Sequence, residues 1–250
     1  MTGSICLNAD VGELPGEEGR ALDRVILDVV TRCSIACGGH AGDTASMTAT
    51  IRAAQARGVL SGAHPSYPDR EGFGRRRANI DNRALEESLL SQVRSLKAIA
   101  RETGAAVMHV KPHGALYNDA AKDRDLAGIV VSVCQRSGID TLLGPPGSLL
   151  ARAAERTGLV YIAEAFADRS YEADGSLTPR SVPGAVIADE AQQAEQVIRL
   201  IEKGEVIACT GERVSVNAQT ICLHGDTPGA AQAALALKQA LVARGIAIRA

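Results

Sequence analysis

Short apolar runs of β-type residues alternate along this chain with longer stretches whose apolar positions recur at helical spacing. The runs are Ile5–Asn8, Cys33–Ala36, Val59–Ala63, Ala106–Val110, Thr141–Leu143, Val160–Ala163 and Thr220–Leu223. Helices are predicted over Glu18–Thr31, Thr44–Arg57, Asn82–Thr103, Asp123–Ser137, Gly147–Thr157, Asp189–Lys203 and Pro228–Arg244. A glycine closes most of them, as at Gly138 and Gly204, where a helix C-terminus favours a residue free to take positive φ. Alternation of this kind means parallel strands joined by helical crossovers. The pattern predicts an α/β fold, either a single seven-stranded (β/α) barrel or a large doubly wound sheet. Neither a linker nor a composition shift divides residues 1–250, so one domain is expected. Two connections are long and rich in Gly, Pro, Arg and Asp, His64–Asp81 and Ala165–Ala188. The segment Val206–Val216 reads as a β-hairpin turned at Thr210-Gly211.

Composition narrows the class. The 250 residues are 46% hydrophobic and 22% charged, ordinary for a globular chain, and the formal charge is −2. A balance so close to neutral gives no general pull towards nucleic acid or an anionic membrane. No apolar run approaches the roughly 18–20 residues that span a bilayer. The start, Met1-Thr2-Gly3-Ser4, carries neither a basic n-region nor an apolar h-region, so a cytoplasmic location is expected. The six cysteines include no Cys-x-x-Cys and lie mostly in apolar runs, which predicts reduced thiols. With no Trp, four Tyr and two Phe, the core must be built from Ala, Val, Ile and Leu.

The chemistry concentrates at one edge. All five histidines, His40, His64, His109, His113 and His224, fall at or just after a predicted strand's C-terminal end. In parallel α/β folds that edge carries the active site. Tyr67, Phe73, Tyr117, Phe166 and Tyr171 belong to the same connections, as do Asp10, Glu13, Asp43, Asp69, Asp168 and Asp226. Helix capping explains Asp43 as well as catalysis does. Asp226 is freer, because Pro228 suits the first helical position and leaves Thr227 to cap. Asp10 precedes no helix directly and is the strongest carboxylate. His109-Val110-Lys111-Pro112-His113 has histidines four apart, but Pro112 forbids a helical metal pair. In an extended strand 109, 111 and 113 share a face, placing two imidazoles and an ammonium together as an anion or carbonyl site. Arg70, Arg75, Arg76 and Arg77 around Gly72-Phe73-Gly74, with Arg169 and Arg180, could recognise carboxylate or phosphate. The chain has no P-loop, no Gly-x-Gly-x-x-Gly and no Gly-x-Ser-x-Gly.

Several of these motifs resemble the LamB/YcsF family. They are Asn8-Ala9-Asp10-Val11-Gly12-Glu13, Ala36-Cys37-Gly38-Gly39-His40-Ala41-Gly42-Asp43 and Gly62-Ala63-His64-Pro65-Ser66-Tyr67-Pro68-Asp69. His109–Tyr117, Glu164–Tyr171, Leu177–Arg180 and Thr220–Ala230 continue the likeness in order along the chain. The resemblance implies a barrel of the glycoside hydrolase/deacetylase type. It also implies one component of an ATP-hydrolysing 5-oxoprolinase, working with partner subunits B and C. Such an enzyme opens the lactam of 5-oxo-L-proline to L-glutamate, with ATP shared between the subunits and Mg²⁺ expected as the nucleotide's counterion. Phosphorylation of the amide oxygen would let water add to the activated carbon and open the ring. In two places the chain departs from the family, which carries Cys where this chain has Ala9 and Phe where it has Gly39.

On these grounds the catalytic candidates are Asp10, His40, His64, Lys111, His113, Asp168, His224 and Asp226. Candidates for holding substrate or phosphate are Glu13, Arg75, Arg76, His109, Tyr117, Arg169 and Arg180. Asp10 or His64 would be the general base, Lys111 with His109 or His113 would meet developing negative charge, and Arg75 or Arg169 would hold the substrate carboxylate. Two other readings compete. One is a metal-dependent deacetylase or other hydrolase, with a divalent ion on Asp10, His40, His64 and His224. The other is a non-catalytic protein that binds a small molecule for its partners.

Overall fold

The computed structural model describes residues 3–225 and 229–250. Along the chain run β1 (Ser4–Val11), β2 (Arg32–Ala36), β3 (Leu60–His64), β4 (Val107–Val110), β5 (Thr141–Gly144) and β6 (Val160–Phe166). A two-stranded hairpin follows, β7 (Glu205–Ile207) and β8 (Arg213–Ser215), then β9 (Thr220–His224) and the short β10 (Ala247–Ile248). Strands β1 to β6 and β9 pair in parallel, and β1 bonds to both β2 and β9, which closes a seven-stranded barrel. Closure removes the doubly wound alternative. The pairing Asn8↔Cys222 and Asp10↔His224 sets the two ends of the chain side by side at the seam. Ser4 and Ile5 pair with β10.

Among the described residues eight helices wrap the barrel: α1 (Gly16–Leu27), α2 (Thr44–Gln55), α3 (Asn82–Glu102), α4 (Gly114–Lys122), α5 (Arg124–Ser137), α6 (Leu149–Arg156), α7 (Glu190–Lys203) and α8 (Ala230–Ala243). Helix α4 has no counterpart among the predicted elements. Its nine residues are too few to show a helical period, and they open on Gly114 at φ 56. The start of the last predicted helix, Pro228, lies outside the described residues, as do Thr227 and Asp226. Among the described residues no helix is long and apolar enough to cross a membrane.

Period-two alternation sorts the strand residues. On β1, Leu7, Ala9 and Val11 join the aliphatic layer between barrel and helices, while Asn8 and Asp10 face the lumen. Helix α3 buries Leu85, Leu89, Leu90, Val93 and Leu96 along one face. Each such leucine contributes about 2 kcal/mol of transfer free energy. The same face carries Gln92, whose amide bonds the backbone N–H and C=O of Ser66 at 3.0 and 2.9 Å. That clamp fixes the loop after β3.

The lumen is polar and filled. Asn8 Nδ2 donates to Thr220 Oγ1 at 3.0 Å, and Ser34 Oγ lies 3.4 Å from His109 Nε2. A Cβ on Gly62 would stand 2.2 Å from that imidazole, so β3 carries glycine where the ring needs its space.

Candidate active site

The C-terminal strand ends surround a cavity of about 610 Å³. Its wall includes Asp10, Glu13, His64, Lys111, His113, Glu164, Phe166 and His224. Arg75, Tyr117, Arg169 and Arg180 line it as well, from the long connections and α4. Each strand delivers its groups by a local device. After β1 the chain turns at Gly12 (φ 73), whose N–H donates to the buried Asp23 Oδ2 of α1 at 2.9 Å. This anchor presents Glu13. Burial pushes the Asp23 carboxyl up to about 6.

On the β1–β4 side, imidazoles crowd around Glu13. Its Oε1 lies 3.0 Å from His40 Nε2, 3.1 Å from His113 Nδ1 and 3.8 Å from His64 Nε2. His40 and His113 stack with centroids 3.6 Å apart, and His64 meets both edge-on. The outer nitrogens are tied to backbone: His64 Nδ1 to Lys111 O at 2.8 Å, His113 Nε2 to Phe73 O at 2.9 Å. Phe73 takes φ 54, the left-handed region, which costs a non-glycine residue about 1 kcal/mol or more. That turn aims its carbonyl at His113 and lays its ring edge-on to His40 and His113. Burial lowers the His113 imidazole and takes that of His40 down to about 4, so both are neutral near pH 7.

At the cavity floor stands Lys111, 1% exposed. Its Nζ is 2.9 Å from Asp10 Oδ1, 2.9 Å from Glu164 Oε1 and 3.0 Å from Cys222 Sγ. Burial works against this charge, but Asp10, Cys222 and Glu164 hold the ammonium well above the ordinary lysine value. Burial alone would raise Asp10; His64 and Lys111 beside it hold it well below the usual carboxylate range. The thiol of Cys222 is pushed well up by burial.

On the β6–β9 side, His224 Nδ1 lies 2.9 Å from both oxygens of Asp168, and its ring stacks on Phe166 at 5.2 Å. Burial opposes a charge on His224, yet Asp168 raises its pKa. Asp168 is lowered in turn: burial resists, and His224 prevails.

The structure therefore brings Asp10, Glu13, His64, Lys111, His113 and His224 to one mouth, with His40 paired to Glu13 and Asp168 to His224 behind them. Two candidates are elsewhere. His109 sits deeper in the lumen, away from the cavity wall, because Gly62 opens room for it there. Arg76 turns outward and forks onto Asp69 at 2.7 and 3.1 Å. Arg169 lines the cavity, but its Nε and Nη2 donate to the carbonyls of Ala185 and Thr178, so it also ties the 165–188 connection together. Asp43 caps α2, accepting from Ser46 N at 2.7 Å. Asp226 lies outside the described residues.

Position 9 packs in the aliphatic layer, so even a thiol there would face away from the cavity. A Cβ on Gly39 would meet Gln92 Oε1 and Ser66 Oγ at 2.4 Å, so the clamp on the β3 loop occupies the space of a side chain there. All six cysteines are free.

Sequence reasoning missed Glu164, Cys222 and Asn8, all around Lys111. Glu164 and Cys222 alternate in register with Phe166 and His224, a period-two signal that could have found them. Beyond the ion pair of Glu164 with Lys111, neither Glu164 oxygen nor the Tyr117 hydroxyl has a hydrogen-bond partner among the described residues. The metal ligands expected at Asp10, His40, His64 and His224 do not form one group. Ligand atoms of Glu13, His40, His64 and His113 lie within 4.8 Å of one another instead, and Asp10, Cys222 and His224 form a second set.

Comparison with known proteins places this geometry. The model of the LamB/YcsF family matches residues 5–250. A protein of Chloroflexus aggregans, named as the A component of 5-oxoprolinase, is 47% identical over 247 residues, 98% of each chain. The crystal structure of a lactam utilization protein from Thermus thermophilus superposes with a TM-score of 0.91 at 36% identity, covering 99% of both chains. A family 4 carbohydrate esterase from Streptomyces lividans shares the fold alone, with a TM-score of 0.51 and 14% identity over 99% of this chain and 92% of that one.

Proposed function

The chain belongs to the LamB/YcsF family, and from that premise we propose that it is the lactam-binding catalytic component of an ATP-dependent 5-oxoprolinase. It would open 5-oxo-L-proline to L-glutamate together with partner subunits B and C. The observation that carries this reading is the buried Lys111 ammonium on the cavity floor, flanked at 2.9 Å by Asp10 and Glu164. An amide carbonyl that gains negative charge needs a fixed cation in a water-poor site, where it acts without reorganisation.

A five-membered lactam is a stabilised amide, so water alone opens it slowly. ATP would supply the activation of the lactam oxygen; the cavity's Arg75 and Arg180, with Lys111, have the charge to receive its terminal phosphate. Lys111 keeps its proton throughout and offers it as a hydrogen bond to the carbonyl oxygen. Asp10 is ionised beside that oxygen and 3.3 Å from His64, so it can take a proton from the attacking water. Glu164, whose oxygens have no hydrogen-bond partner among the described residues beyond the Lys111 ion pair, suits the ring N–H. Tyr117 and Phe166, edge to face at 5.7 Å, form the apolar side of the pocket.

Glutamate formation from 5-oxo-L-proline and ATP, by this chain alone and with subunits B and C, tests the reading. Turnover is expected only with ATP and the partners present. Asp10→Asn is expected to lower kcat at least about 100-fold, the scale of a lost general base. Unchanged turnover in that variant would remove the assignment.

A further inference from the structure

We propose that Glu13, His64 and His113 form a three-ligand site for one divalent transition-metal ion of the Zn²⁺ class, with a fourth position open to the cavity. The ring protons decide the matter. His64 Nδ1 lies 2.8 Å from Lys111 O, and a carbonyl oxygen only accepts, so Nδ1 carries a proton; in the neutral ring Nε2 then presents a lone pair. His113 Nε2 lies 2.9 Å from Phe73 O, which leaves its Nδ1 bare in the same way. These two bare nitrogens face each other at 3.0 Å. Glu13 Oε1, a third acceptor, stands 3.1 Å from His113 Nδ1 and 3.8 Å from His64 Nε2. Asp10 Oδ2 also lies 3.3 Å from His64 Nε2, so with both rings neutral the buried acceptors converge here without a proton among them and repel one another unless a cation sits between them.

The spacing suits such an ion. Donors around tetrahedral Zn²⁺, with bonds of about 2.0–2.1 Å, are about 3.3 Å apart; the three separations here are 3.0, 3.1 and 3.8 Å. Imidazoles that bind metal commonly hand their other N–H to a backbone carbonyl, as both do here. His40 completes an outer layer, its Nε2 3.0 Å from the same Glu13 oxygen. Local charge agrees: Lys111 is already paired with the buried Asp10 and Glu164, while Glu13 is met by imidazoles. Two imidazoles and one carboxylate select a borderline ion over Mg²⁺ or Ca²⁺, which take oxygen ligands. Glu13, His64 and His113 all line the cavity, so the remaining position is available to water or a carbonyl oxygen.

The site does not depend on which amide is cut, and its test reads metal rather than turnover. The full chain would be stripped with chelator, equilibrated with Zn²⁺, desalted and analysed by elemental mass spectrometry. Crystals of the same sample would be measured at the zinc absorption edge. One ion per chain is expected, with an anomalous peak between His64, His113 and Glu13. His64→Gln and His113→Gln should each weaken binding well beyond 10-fold. His40→Gln should weaken it about 10–100-fold, as an outer partner does. Cys209→Ser, which removes the exposed thiol, should retain the ion. Circular dichroism would verify folding of each variant. A folded wild type holding no zinc, or a peak at Cys209 or at Asp10, Cys222 and His224, would overturn the proposal. Loss of 5-oxo-L-proline cleavage with the ion in place would count against the proposed reaction and leave this site standing.

Discussion

On the β1–β4 side of the cavity three imidazoles share one carboxylate, and two of them donate their outer N–H to backbone carbonyls. On the β6–β9 side a single imidazole faces a carboxylate through two contacts of 2.9 Å, with Phe166 stacked behind it. Residue type is the same on both sides; the partner of the second nitrogen differs. Carbonyl acceptors fix a proton on the outer nitrogens of His64 and His113 and turn the inner ones towards Glu13, whereas Asp168 favours a charged His224. Lys111 stands between the two, its charge met by Asp10 and Glu164. One mouth thus holds an imidazole cluster around Glu13 and an ion-paired side, divided by a fixed cation.

Removing the divider should have the largest effect. Lys111→Ala would leave Asp10 and Glu164 buried without their cation, a loss of about 3–5 kcal/mol in stability. Lys111→Met keeps the stem's packing but leaves the same two carboxylates unpaired, so its turnover is read per folded chain, counted by circular dichroism. With the partner subunits present, kcat of the Met variant is expected to fall by about 100–1000-fold, the range for one lost electrostatic donor. A Met variant with native turnover would show that the ammonium balances charge and does nothing to the substrate.

A smaller effect should come from breaking the ion-paired side alone. Asp168→Asn removes the charge that raises His224, so the imidazole should titrate lower. The sign follows from linkage. A raised folded value means stabilisation that is complete below the unfolded value of about 6.5 and lost as pH rises through the folded one. The wild type should therefore lose this contribution on the alkaline side, and the Asn variant should lack it throughout. Proton NMR of His224 C–H resonances against pH measures the shift directly. An unchanged titration would mean that burial, rather than Asp168, governs the ring.

The barrel was legible because β-type runs and helical stretches alternate seven times, and the mouth because four of the five histidines sit at or just beyond strand ends. Physical reasons account for what was not. Nine residues are too short for α4 to announce a period, and Gly114 reads as a loop. Glu164 sits within an apolar strand, where one carboxylate looks like an interruption until register sets it opposite Thr220 and next to Lys111. Arg76 belongs to a run of arginines, and only the loop's path decides that it meets Asp69. Most instructive is His109, because spacing put it on the face of Lys111 and His113 and was right about the face. What spacing cannot give is height along the barrel.

That height supports the last and smallest prediction, confined to stability. His109 is fully buried beneath the cavity, and burial, with the charges of Arg32 and Lys111, takes its imidazole down to about 3. Unfolded, the ring would take a proton near 6.5. Between these values the unfolded chain binds the extra proton, so stability falls as pH drops through the window and rises again towards neutrality. At pH 5 the loss from this one ring is roughly 2 kcal/mol, from about 1.5 pH units at 1.36 kcal/mol each. His109→Gln keeps a hydrogen-bonding group near Ser34 but cannot titrate. Urea unfolding at pH 7 and pH 5 should show the variant losing less stability on acidification than the wild type by that amount. Because the ring lies below the cavity wall, turnover at pH 7 should stay close to wild type. Equal acid sensitivity in the two proteins would move the titrating group up to the mouth, to His40 or His113, where burial also lowers an imidazole.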